Sequence, residues 1–225
     1  MATHLDLEEQ EQIDQLKHFW KTWGTLITSV VVLVSGAVLG WNGYQWWQVR
    51  QATQAAALSD SVEAALRQAD GGRAEQAFGD LKARFPSAMQ TAQAALSLAK
   101  QQVDAGQLDS AKATLQWLAD SGRDEGYKSI ARLRLAALLM DKKDYDAALA
   151  ALAVKHPPEF DAVVADRTGD ILVAQGKAAE AAEAYRKAWS GLQEGVEYRR
   201  IVEVKLNALG VSVEPASAGA AGGRS

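Results

Sequence analysis

Three histidines, His4, His18 and His156, are all the imidazole in this chain, and cysteine is absent. Imidazole and thiolate carry much of nucleophilic catalysis and zinc ligation, so the supply for either chemistry is thin. His4 and His18 precede the most apolar run and His156 follows it, so the three build no metal cluster. Gly169 with Gly176 and Lys177 has some of the parts of a phosphate loop, but the glycine spacing is wrong and Ala178 stands where a hydroxyl is required. A helix turn explains those residues better. No G-x-S-x-G elbow or G-x-G-x-x-G fingerprint is present. Arg132 with Arg134, Asp141 with Asp144, and Arg199 with Arg200 read as solvated helix faces. The expectation is a non-enzymatic protein with no catalytic, cofactor-binding or metal-ligating residue and no cofactor.

Composition narrows the class further. The 225 residues are 48% hydrophobic and 23% charged, enough for a folded core. A net charge of −4 argues against nucleic acid as a partner, because tracking phosphates needs an excess of Lys and Arg. The lack of cysteine leaves the redox compartment open. Five of the seven tryptophans, Trp20, Trp23, Trp41, Trp46 and Trp47, fall between positions 20 and 47.

Those tryptophans bracket a run that carries no charge between Lys21 and Arg50, with LITSVVVLVSGAVLG at its centre. At 1.5 Å rise per residue, about 20 residues cross a hydrocarbon core of about 30 Å. Trp20 and Trp23 at one end, and Trp41, Tyr44, Trp46 and Trp47 at the other, stand where headgroups would lie. A cleaved signal peptide fits poorly. Asp6, Glu8, Glu9, Glu11 and Asp14 replace the basic start, and the nearest A-x-A pattern, Ala55 to Ala57, lies well past the apolar run. An uncleaved anchor is expected, with Lys17 and Lys21 slightly favouring a cytoplasmic N-terminus. Gly36 and Gly40 form a G-x-x-x-G face for transmembrane helix packing. Ahead of the span, Ile13, Leu16, Trp20 and Trp23 in EEQEQIDQLKHFWKTWG share one face of a helix that enters the interface.

Beyond Ser59 the chain repeats. Four segments, starting at Ser61, Ala95, Arg132 and Ala165, each read as helix, tight turn, helix. An alanine opening the packed face of each second helix recurs at Ala77, Ala111, Ala148 and Ala181, at intervals of 34, 37 and 33 residues. Small residues Ala65, Ala99, Ala136 and Gly169 let the paired helices approach, and Leu81, Leu115, Leu152 and Tyr185 fill the space inward. The turns fall at Gly72, Gly106, Lys143 and Gly176; Lys143 lacks glycine's freedom at φ > 0, so a looser third turn is expected. Pro86 and the Pro157–Pro158 pair are expected to end second helices. A period near 34 belongs to the tetratricopeptide class. A further helix offers Val196, Ile201, Val204 and Leu209 to cover the last repeat, and the tail after Gly210 is too polar and small to fold.

The fold class is therefore all-α: one N-terminal transmembrane helix, then a tetratricopeptide-like α-solenoid of about four helix pairs with a C-terminal capping helix. The expected segments are a cytoplasmic arm (1–23), the span (24–47), a helical linker (48–58), the repeat domain with its cap (59–209) and a disordered tail (210–225). First helices line a groove suited to peptides or partner helices. In this register its candidates are Val62, Leu66, Leu96, Lys100, Leu133, Ala137, Met140, Asp166 and Asp170.

The combination of LEEQEQIDQLKHFWKTWG, a span closing in GWNGYQWWQVRQATQAA, and these repeats resembles the ancillary SecYEG translocon subunit family over roughly residues 5–209. Glu9-Gln10-Glu11, Lys17, Phe19, Trp20, Gly24, Gly40-Trp41 and Trp46 carry the likeness. The resemblance implies a single-pass protein of the bacterial inner membrane, with its N-terminus cytoplasmic and its repeat domain periplasmic. It implies three partners: the SecYEG channel, a membrane-anchored periplasmic chaperone of the prolyl-isomerase type, and unfolded client proteins. The tail after Gly210 departs from shorter members, and no individual contact residue is carried over. A scaffold for another envelope machine, such as a pilus or secretion system, is the alternative.

Overall fold

The computed structural model describes residues 7–212, with side chains from residue 17 onward. Among these residues the chain is helical without a strand, and it divides into two compact units between Thr53 and Gln54. The arm's Ile13 and Leu16 side chains and the tail from residue 213 lie outside the described residues. Helix α1 (Leu7–Arg67) runs unbroken through the expected arm, span and linker.

In the first unit, α1 carries its apolar side chains in the open: Leu33 and Leu39 are 73% and 71% exposed, and its most apolar window has a mean hydropathy of 1.9. A core helix of a soluble domain would be buried instead. This is the one helix among the described residues long and apolar enough to cross a membrane. Two of its hydroxyls within the apolar run bond back to the helix. Thr28 donates to the Gly24 carbonyl at 2.7 Å and Ser29 to that of Thr25 at 2.8 Å, so neither is left unpaired in an apolar medium. At the far end the Arg50 guanidinium lies 5.2 Å from the Trp46 ring centre, and Gln48 donates to the Tyr44 hydroxyl.

In the second unit the end of α1 pairs with α2 (Gly71–Arg84), α3 (Met89–Asp104) with α4 (Leu108–Ser121), α5 (Glu125–Asp141) with α6 (Tyr145–Leu152), and α7 (Asp161–Ala174) with α8 (Ala178–Gly191). Helix α9 (Glu197–Ala208) follows. Ala55 and Ser59 are already buried, so repeat packing starts ahead of residue 59.

Each first helix ends in the same way. Ala69, Gly106, Lys143 and Gly176 take φ of +55°, +74°, +62° and +76°. Their N–H groups donate to the carbonyls of Leu66, Val103, Met140 and Val173 at 2.8–3.0 Å. The next N–H, from Asp70, Gln107, Asp144 or Lys177, reaches back to Ala65, Gln102, Leu139 or Leu172 at 2.8–3.0 Å. This Schellman pattern satisfies carbonyls that the helix end would otherwise leave open. Five residues past each pivot, Ala74, Ala111, Ala148 and Ala181 are all 0% exposed and donate to the carbonyl four residues back at 3.0 Å.

This corrects the first repeat by three residues. Its equivalents are Ala69, Ala74, Val62 and Phe78, not Gly72, Ala77, Ala65 and Leu81, and the spacing becomes 37, 37 and 33. A slip of three stays nearly on one helix face, so the apolar pattern looked intact, and Gly72 was the more plausible turn residue. The third turn is not looser: Lys143 adopts the left-handed conformation and keeps both bonds. Nor does Pro157–Pro158 end α6, which stops at Leu152; Pro158 instead opens a short 3-10 turn, Pro158–Phe160, before α7.

The core forms two clusters. One runs from Ala55 to Ile171 through the repeats, and the second joins Ala165, Leu172, Ala181, Tyr185 and Ala188 with Val202 and Leu206 of α9. The covering face of α9 also differs from expectation. Val196, Ile201 and Val204 are 41%, 49% and 66% exposed, whereas Val202 and Leu206 are 0% exposed and Leu209 is partly buried.

Candidate functional site

The repeats place equivalent residues at equivalent backbone positions. Three residues before each pivot stands an apolar side chain: Leu66, Val103, Met140 and Val173. Val103 and Val173 are 41% and 43% exposed, and Leu66 and Met140 are partly buried against the core. These four stand at one repeating position along the first helices. The sequence reading included Leu66 and Met140 and missed Val103 and Val173; the turn residues, used as the register, would have found all four.

The other groove candidates separate into distinct environments. Val62 and Leu96 are 0% and 8% exposed within the core, so they pack rather than contact a partner. Leu133 and Ala137 are partly buried. Lys100 is solvent-facing and pairs with Asp104 at 2.5 Å across one helix turn, an exposed contact of small energetic weight.

Asp166 and Asp170 lie beneath α9. Asp166 is 2% exposed; Lys205 Nζ donates to its two oxygens at 2.8 and 2.9 Å, and the Tyr198 hydroxyl donates at 2.5 Å. Lys205 also reaches Asp170 Oδ1 at 2.7 Å, the acceptor for Tyr185 Oη at 2.8 Å. Burial, then the hydrogen bonds to these carboxylates, pushes the Tyr185 and Tyr198 phenols above the usual tyrosine range. Nearly every polar atom is matched, which suits a structural latch more than an open binding site.

Three of the four arginines read as solvated faces make defined contacts, and among the described residues Arg200 alone is exposed without one. Arg132 donates to the carbonyls of Ala119 and Lys155, and Arg134 to that of Leu96, tying α5 to its neighbours. The Arg199 guanidinium lies 3.9 Å from the Trp189 ring centre. His156 joins the Val154 carbonyl and Asp161 within the connection between α6 and α7. A groove of about 370 Å³ lies between α4 and α6, floored by Leu135 and Leu139 and rimmed by Lys112, Asp120 and Arg132. Among the described residues no His/Asp/Glu group is arranged to hold a metal.

In the first unit, Gly36 and Gly40 have no atom within 4 Å of where a side chain would begin, so another backbone could approach there.

Comparison with known proteins covers both units. Residues 17–211 match the family model described as a tetratricopeptide repeat-like domain. A protein of Neisseria gonorrhoeae named ancillary SecYEG translocon subunit is 34% identical, over 93% of this chain and 100% of its own length. Proteins of the same name from Escherichia coli and Haemophilus influenzae are 31% and 30% identical over 90% of this chain, covering 97% and 98% of theirs. With the apolar helix and the repeats matched together at these identities, the chain belongs to the ancillary SecYEG translocon subunit family, whose repeat domain is tetratricopeptide-like.

Proposed function

We propose that the chain is a non-enzymatic adaptor of the Sec translocon, anchored in the bacterial inner membrane by α1, with its N-terminus in the cytoplasm and its repeats in the periplasm. The observation that carries this reading is the end-to-end match to relatives named as subunits of that translocon. The apolar helix α1 supports anchoring, and the Lys17 and Lys21 pair supports the orientation. The span meets the channel through the open Gly36 and Gly40 face. The row Leu66, Val103, Met140 and Val173 receives apolar segments of emerging client chains or of a membrane-anchored periplasmic chaperone of the prolyl-isomerase type. Stacked repeats suit this task because their side chains recur along an extended surface.

The test is photocrosslinking from positions 36, 103 and 173 in intact cells, with protease added to spheroplasts to fix topology. Crosslinks from position 36 to a channel subunit, crosslinks from 103 and 173 to client or chaperone, and digestion of the repeats support the reading. Protection of the repeats from protease, or crosslinks to envelope components without any Sec subunit, would sink it.

A further inference from the structure

Neighbouring second helices are packed differently from one repeat to the next. Between α2 and α4 the space is filled. Trp117 of α4 meets Phe78 of α2 edge to face, with ring centres 5.5 Å apart, and the Lys82 ammonium lies 5.5 Å from the Trp117 ring centre. Contacts of this kind combine a large apolar area with a cation over the negative face of a ring.

The pivots fix which residues stand at the same places between α4 and α6. Trp117 lies eleven residues past Gly106, and Val154 lies eleven past Lys143; Lys82 lies thirteen past Ala69, and Ala119 thirteen past Gly106. Both counterparts are smaller. Ala119 and Val154 line the groove of about 370 Å³ between these helices, over the buried Leu135 and Leu139. Helix α6 ends at Leu152, two residues before Val154, which is 44% exposed. Between α6 and α8 the two places hold His156 and Lys187, both polar. The pair is small and apolar between α4 and α6 alone.

The rim supplies a charge. Arg132 is engaged by the carbonyls of Ala119 and Lys155, and Asp120 accepts from Gln116 at 3.0 Å. Lys112, on the same rim, makes no ion pair among the described residues. A ring entering the groove offers its negative face to that ammonium, whereas an aliphatic guest gains nothing from it.

We propose that the groove between α4 and α6 receives an aromatic side chain of another polypeptide, seated on Leu135 and Leu139 as Trp117 is seated in the preceding repeat, with Lys112 in the part that Lys82 plays there. This is a docking surface on the second helices, separate from the row along the first helices. It does not rest on the translocon reading.

The test is methyl NMR of the full chain in lipid nanodiscs, with the leucine methyls labelled. The probe is a short Gly-Ser peptide carrying one tryptophan, compared with the same peptide carrying leucine in its place. The Leu135 and Leu139 methyls should shift saturably with the tryptophan peptide, and the leucine peptide should bind roughly 5-fold or more weakly. Val154→Trp supplies the chain's own indole and should weaken tryptophan-peptide binding by roughly 10-fold or more, while Val154→Ser keeps the space and should leave binding within roughly 3-fold. No saturable shift at these methyls, or equal binding of the leucine peptide, overturns the proposal. Loss of binding in both variants means that the exposed valine rather than the open space carries it, retention in both means that the peptide sits elsewhere, and either result equally overturns it.

Discussion

The ring of Tyr185 fills the space that a side chain at Gly169 would need: a β-carbon there would fall 2.4 Å from Tyr185 Cε1 and 2.5 Å from Cδ1. At the equivalent places the second and third repeats set Ala99 with Leu115 and Ala136 with Leu152, all buried. The fourth repeat spends the missing methyl on a larger ring, whose hydroxyl then reaches Asp170. Alanine inside a helix is ordinarily favoured over glycine by about 1 kcal/mol, but overpacking a tight core costs about 1–3 kcal/mol. Gly169→Ala should therefore destabilise the domain, and adding Tyr185→Leu should recover most of the loss. Denaturant midpoints of the two variants check this; a stabilised single variant would contradict the close approach.

The four pivots give an opposite-signed series. Lys143 and Ala69 hold φ of +62° and +55° without being glycine. A left-handed non-glycine residue costs about 1–2 kcal/mol, so Lys143→Gly should raise stability by up to about 1 kcal/mol after the entropy glycine adds to the unfolded chain. Gly106→Ala and Gly176→Ala should lower it by about 1 kcal/mol. Thermal unfolding of these variants, with Ala69→Gly as the fourth member, reads out the sign at each turn.

Lys142, beside the third pivot, places its ammonium 2.5 Å from Asp109 at the start of α4. That hydrogen bond, with the attraction of the charge, holds the Asp109 carboxyl below its ordinary range. A carboxylate with a depressed folded value contributes stability above its unfolded value, lost as pH falls through the folded one. The pair is exposed, so the contribution is small and screened by salt. Carboxyl NMR titration should show Asp109 ionising below the ordinary aspartate range, and Lys142→Met should move it upward.

Tyr185 and Tyr198 should ionise above the usual tyrosine range. Their phenols are raised in the folded state, so the folded chain keeps these protons longer. The stability they contribute is complete below the unfolded value of about 10 and is lost as pH rises beyond it. Phenolate absorbance should show a late step that Tyr185→Phe with Tyr198→Phe abolishes. Absence of any late step would place these two rings in water.

The residues themselves announced the long apolar helix and the helix pairs. A run without charge between Lys21 and Arg50 and alanines recurring every 33 to 37 residues follow from solvation and close packing, which act on composition and period. Register was legible only in part. Glycine advertises a left-handed turn, so Gly106 and Gly176 were found, but Ala69 and Lys143 take the same conformation because their helix ends require the same two bonds. The tertiary structure alone decided which face of α9 is covered and what Asp166 does. On sequence, Ile201 and Val204 are as apolar as Val202, and Asp166 is one more carboxylate on a helix. Lys205, 39 residues away in the chain, pairs with that carboxylate. Long-range charge pairing in a desolvated interface leaves no local period for a sequence to display.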